Sequence, residues 1–276
     1  MNVTILDAYN LMHRARSGFT RGQYPVIYNF FRGLRPIIQE LQPDIVYFVL
    51  EGQPKKNQHL LENYKGSRAV DPDVDPKKYA ALQEFHRQKR EIIKLIREHF
   101  PFVTARHPDY EADDVMAELA RNHADDVVTI VSGDSDMIQM LQESSSIHLY
   151  HPIKKEFLEA PAYDYVQWKA LRGDPTDDIP GIPGVGDKTA TKLILDETKR
   201  AQFFVKKAGT QEIWERNQEL IRLTPFSEPD RALIEFKHAA ADWDAVRTAF
   251  QAFGFGSMLK GSTWEKYVAT FDCLRD

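Results

Sequence analysis

Short apolar runs recur along the first half of this chain, and longer stretches of helical period separate them. VTIL at 3–6, IVYFVL at 45–50, FVTA at 102–105 and VVTIVS at 127–132 are brief and rich in β-branched residues, so they read as buried strands. Between them, apolar positions repeat every three to four residues over about 26–41, 79–99 and 113–124, the period of amphipathic helices. Strands alternating with helices predict an α/β unit with a mainly parallel sheet. After about Pro161 the strand signal fades, and Gly, Pro and Asp clusters punctuate what reads as a helical second region.

A parallel sheet brings its strand carboxyl ends to one edge, where ligands bind. The residues that follow the predicted strands there are acids: Asp7 after VTIL, Glu51 after IVYFVL, and Asp134 with Asp136 in SGDSDMIQML. The stretch HPDYEADDVMAELA adds Glu111, Asp113 and Asp114 at a helix start. Acids are favourable in a first helical turn, but one would serve as a cap. Carboxylates gathered within a few ångströms either raise one another's pKa or hold cations, and oxygen-only ligands select hard ions such as Mg²⁺ or Mn²⁺. Two such ions in a carboxylate nest are one way in which phosphodiesters are hydrolysed. Phosphatases with an aspartyl nucleophile need D-x-D after the first strand, and LDAYN lacks it. A phospho-acceptor domain leaves GDPTDD, far downstream, unexplained.

With 276 residues, 42% hydrophobic and 28% charged, the chain has an ordinary globular balance, and its formal charge of −5 alone argues against a nucleic-acid partner. The distribution reverses that argument. Between the second strand and Phe100, cations outnumber acids, and NYKGSR joins the aromatic Tyr64 to Lys65 and Arg68, which suits bases and phosphates. The single cysteine, Cys273, allows no intramolecular disulfide, no apolar run is long enough to span a membrane, and MNVTILDAYN has no basic leader. A cytoplasmic protein without membrane contact is expected.

GDPTDDIPGIPGVGDKTATKL, 173–193, superficially suggests a nucleotide P-loop, but Asp187 separates Gly186 from Lys188 and no strand precedes it. It reads better as a hairpin between helices: Gly181, Gly184 and Gly186 let backbone approach a phosphate, and Lys188, Thr189 and Lys192 follow on the next helix. Asp174 and Asp177 precede it and lie in reach of the acidic pocket.

In this order, ILDAYN, YKGSR, YEADDV, SGDSDMIQML and GDPTDDIPGIPGVGDKTA resemble the motifs of the flap endonuclease and 5′→3′ exonuclease family over about residues 1–200. The resemblance implies a PIN-like core over 1–160 with a helical arch at about 53–98. It also implies a helical DNA-binding region over 161–276, whose helix-three-turn-helix element contains a hairpin at about 174–195. It implies metal-site roles for Asp7, Glu111, Asp113, Asp114, Asp134, Asp136, Asp174 and Asp177, and phosphate contacts from Lys65 and Arg68. Tyr64 is the base-stacking candidate, and the hairpin carbonyls are candidates for a K⁺ ion. Glu51, also expected in the metal site, departs from the family's usual aspartate, moving a carboxylate outward by about one C–C bond, so that it binds metal through water or shifts that ion.

The activity implied is that of a stand-alone bacterial or bacteriophage-type nuclease, a monomer that uses divalent metal to cut DNA with 5′ single-stranded ends or flaps near the junction. Removal of RNA primers from RNA–DNA hybrids by the same chemistry, and a non-catalytic module that binds DNA structures, remain alternatives. The aromatic-rich end, AFQAFGFGSMLKGSTWEKYVATF, is expected to pack a core and support duplex.

Overall fold

The computed structural model describes residues 1–18, 22–53, 61 and 73–275. Six strands follow one another as β1 (Asn2–Asp7), β2 (Ile45–Leu50), β3 (Val103–Arg106), β4 (Val127–Val131), β5 (Ile147–His151) and β6 (Glu156–Leu158). Two short strands, β7 (Gly173–Asp174) and β8 (Ile179–Pro180), pair only with each other, and β9 (Glu235–His238) returns to the main sheet. That sheet has the order β6-β5-β4-β1-β2-β3-β9. Its five central strands are parallel and both edge strands antiparallel. The carboxyl ends of β1, β2 and β4 therefore meet at one edge.

The crossovers are α1 (Ala8–Arg16), α2 (Pro25–Leu41), α3 (Pro76–His99) and α4 (Ala112–Asn122). Strand alternation divides the core between two faces. Leu6, Val46 and Phe48 pack with α1, α2 and α3 on one side, whereas Val3, Ile5 and Val49 pack with α4 and the 3₁₀ helix Ser135–Gln142 on the other.

The aromatic tail joins the first of these cores. Phe250, Phe255, Trp264, Tyr267 and Phe271 are buried with Phe31 and Phe100, and the Phe250 and Phe31 ring centroids lie 5.2 Å apart. Phe250→Ala is expected to cost about 4 kcal/mol and lower Tm by roughly 10 °C, because a fully buried ring leaves a cavity. Thermal denaturation checks this; a change within experimental error would show that the tail is not integral to the core.

The region 161–276 is not uniform in packing. Helices α5 (Tyr165–Arg172), α6 (Asp187–Leu195), α7 (Glu197–Lys206) and α8 (Thr210–Ile221) have apolar clusters of their own, around Val166 and Ile221 and around Ile182 and Leu193. After α8 the chain crosses back. Buried Glu118 on α4 accepts hydrogen bonds from Arg231 Nε at 2.5 Å and from Phe226 N at 3.0 Å, and β9 then pairs with β3 from Val103↔His238 to Arg106↔Glu235. The periodicity missed this strand because all four residues of EFKH are exposed and carry no apolar alternation. Pairing with a neighbouring edge makes it a strand.

Candidate metal centre

Asp7 closes β1 and caps α1, its Oδ1 accepting from Asn10 N at 2.9 Å. Its Oδ2 accepts from Ser132 Oγ at 2.7 Å, and the same hydroxyl oxygen accepts from Asp134 N at 2.9 Å. Asn10 Oδ1 accepts from Gly133 N at 3.0 Å, so the ends of β1 and β4 are stitched together. Burial pushes the Asp7 carboxyl up to about 6; hydrogen bonds from Asn10 and Ser132 oppose the rise and the charge of Asp134 adds to it. Asp134 caps the following 3₁₀ helix by accepting from Asp136 N at 2.9 Å.

Asp136 carries the arrangement to the helical region. One carboxylate oxygen from each of Asp136, Asp174 and Asp177 lies within 4.8 Å of the others. Between them stands Lys169, a buried lysine on α5 whose ammonium donates to Asp136 and, at 2.5 Å, to Asp174. Burial pushes Asp136 up to about 7, against the pull of Lys169 and with the charges of Asp134 and Asp174 adding to the rise. Burial opposes ionisation of Asp174 as well, but Lys169 and the Thr176 N–H at 2.8 Å outweigh it and hold that carboxyl below its ordinary value. The Lys169 ammonium is disfavoured by burial, yet Asp136 and Asp174 raise its pKa overall. An oxygen-only nest that already binds one positive charge fits a hard cation.

The remaining acids gather at the start of α4. Glu111 is the buried N-cap residue, and Asp113 and Asp114 occupy the first turn. Glu51, just beyond β2, is the acceptor for Ala112 N at 3.4 Å, so its longer side chain meets the exposed N–H groups of that helix.

The hairpin glycines serve different needs. A Cβ on Gly181 would lie 1.9 Å from the Arg172 carbonyl oxygen, so that position is closed by internal packing. Gly184 has φ of +81°, where a side chain is strained, whereas Gly186 precedes α6 with open space around it. Lys188 and Lys192 are exposed and Thr189 is half-buried on α6, and Lys207 Nζ donates to the Pro183 carbonyl at 3.1 Å. Tyr64, Lys65 and Arg68 lie outside the described residues.

Sequence reasoning missed Lys169 and Ser132. A lysine on a helix reads as solvated, although Lys169 follows Val166 and precedes Ala170 on the buried face of α5, a pattern that marks it as inward. Ser132 carries no such signal.

The family described as "5'-3' exonuclease, N-terminal resolvase-like domain" matches residues 2–169. The chain is 33% identical over 214 residues to a thermostable DNA polymerase I of Thermus thermophilus, an alignment covering 70% of this chain and 24% of that protein. It is 30% identical over 187 residues to a 5'-3' exonuclease of Mycobacterium tuberculosis, covering 60% of this chain and 58% of the relative. The chain thus spans about a quarter of the first relative's length and less than two thirds of the second's. A bacteriophage T5 flap endonuclease, solved as a pseudo-enzyme-product complex with DNA and metal ions, superposes with a TM-score of 0.68 at 19% identity, covering 81% of this chain and 89% of that one. At that identity the likeness establishes the fold alone, a PIN-like architecture with a mostly parallel sheet. No described helix is long and apolar enough to cross a membrane. Sequence match and fold agree with the acids at the sheet edge, and the chain belongs to the family of 5′-3′ exonuclease N-terminal, resolvase-like domains.

Proposed function

We propose that this chain is a divalent-metal-dependent 5′ nuclease, a 5′→3′ exonuclease and flap endonuclease that hydrolyses DNA phosphodiesters near junctions of single and double strand. The observation that carries this reading is the convergence of Asp136, from the 3₁₀ helix that follows β4, with Asp174 and Asp177, from the helical region, on a space of 4.8 Å. Bound there, Mg²⁺ or Mn²⁺ would supply activation of water and stabilisation of the departing oxygen. Asp136, Asp174 and Asp177 would hold the ions from one side, and Asp7 and Asp134, fixed through Ser132, from the β1 and β4 ends. Glu111, Asp113 and Asp114 complete the acidic wall at α4, and Glu51 aligns its first turn. Lys65 and Arg68 neutralise charge on the scissile phosphate, Tyr64 stacks a base, and α6 presents its N-terminus, Lys188 and Lys192 to duplex phosphates, assisted by K⁺ at the hairpin.

The test is cleavage of a 5′-labelled flap DNA in Mg²⁺, Mn²⁺ and chelator, beside Asp134→Asn and a matched flap containing RNA. Cutting near the junction that needs metal and falls roughly a thousandfold in the variant is expected, a loss of about 4 kcal/mol in barrier lowering. Binding without cutting in either metal would leave a DNA-structure-binding module, and the RNA flap ranks the substrates.

A further inference from the structure

A cavity of about 300 Å³ lies between α1, the middle of α2 and the β5–β6 turn. Arg14 is two helical turns beyond Asp7, about 10 Å along α1, so the cavity stands apart from the acidic nest. Leu11, Phe30, Leu34 and Ile37 give it an apolar lining, while Arg14, Arg32 and Lys155 contribute three cations. Among the described residues no carboxylate pairs with any of these three, although neighbouring Lys154 pairs with Glu156 at 3.6 Å. Burial pulls the Arg14 guanidinium down, and only the Tyr150 phenol opposes the fall.

The backbone around this cavity is locally expensive. Gly33 and Pro36 both sit inside helix α2, where glycine and proline are the least favourable residues, and both line the cavity. No atom lies within 4 Å of the place a Gly33 Cβ would take, so nothing inside the protein requires a glycine there. Pro36 removes the N–H that would bond the Arg32 carbonyl. Lys155 holds a φ of +57°, a left-handed conformation that favours glycine or asparagine. Three locally unfavourable choices thus border one cavity from two elements, and at Gly33 no internal contact accounts for the choice, as expected of a site kept open for something outside the chain.

We infer that this cavity binds the phosphate and sugar-base body of a single nucleotide, with Arg14, Arg32 and Lys155 on the phosphate and the apolar lining under the base. Three cations beside an apolar lining suit an amphipathic anion, and 300 Å³ is at the small end of ligand pockets. Its identification as a nucleotide rests on the nuclease reading, since 5′→3′ exonuclease action releases mononucleotides; the anion site itself does not.

Titration calorimetry on the full chain in chelator tests it, because the acidic nest then holds no metal to bind phosphate. Saturable binding of dAMP, weaker binding of inorganic phosphate and none of deoxyadenosine are expected. Arg14→Gln should weaken dAMP at least tenfold, and Gly33→Leu should abolish binding while Tm stays level or rises, since leucine favours the helix. Competition by a 5′-phosphorylated pentanucleotide would assign the pocket to a strand end, and lack of it to a free mononucleotide. Deoxyadenosine binding as tightly as dAMP, dAMP binding retained in Gly33→Leu, or no binding by the parent protein would overturn the inference. A flap-cleavage failure with dAMP still bound would sink only the nuclease reading.

Discussion

Asp136→Asn is expected to raise the stability of the metal-free protein at pH 8 while lowering flap cleavage about a thousandfold. The carboxyl is pushed up to about 7 from an ordinary 3.8, so between those values the folded state binds its proton more tightly than the unfolded chain does. Stability from this group is therefore fully present below pH 4 and is lost as pH rises to about 7. Asp7, pushed up to about 6, acts in the same direction. The parent protein in chelator should lose stability from pH 4 to 7 and regain it when Mg²⁺ binds the folded form. Asparagine removes one ionisation but also one partner of Lys169, so a net gain of only about 1–2 kcal/mol is expected from a shift of this size. Tm against pH, with and without metal, reads this directly. A lower Tm for the variant at pH 8 would mean that the Lys169 pair outweighs the cost of burying the charge.

Lys169→Met should have the opposite signature and a large effect on stability. It leaves Asp136 and Asp174 without the ammonium that touches both, with Asp177 close by. Breaking a buried ion pair on one side costs about 3–5 kcal/mol, which lowers Tm by roughly 10 °C or more in a chain of this size. Methionine has similar length and fits the apolar surroundings, so the loss reports charge more than volume. Mg²⁺ or Mn²⁺ should recover more stability in this variant than in the parent, because the added cation takes over the neutralising role. Equal Tm for variant and parent in chelator would show that Lys169 does not neutralise the nest.

Much of the central sheet was legible in the sequence. The run IVYFVL at 45–50 coincides with β2, and the helical period at 26–41 lies one residue inside α2, because apolar period and length together leave few alternatives there. The strand-end acids were legible for the same reason: parallel strands separated by helical crossovers must share a carboxyl edge. β5, with histidine at two of five positions in IHLYH, and β9, exposed throughout, were not, since their strand state comes from the neighbour they pair with.

The sequence by itself determined which residue types stand at the sheet edge and in what order, since local spacing encodes strand ends, helix starts and the hairpin. Only the tertiary structure decided their partners. It placed Lys169 among three aspartates, gave Gly181 to packing against Arg172 and Gly186 to open solvent, and returned the chain from Trp243 onward to the first core. These are distances between segments far apart in the chain, and their energies, burial and charge pairing, exist only after the chain has folded.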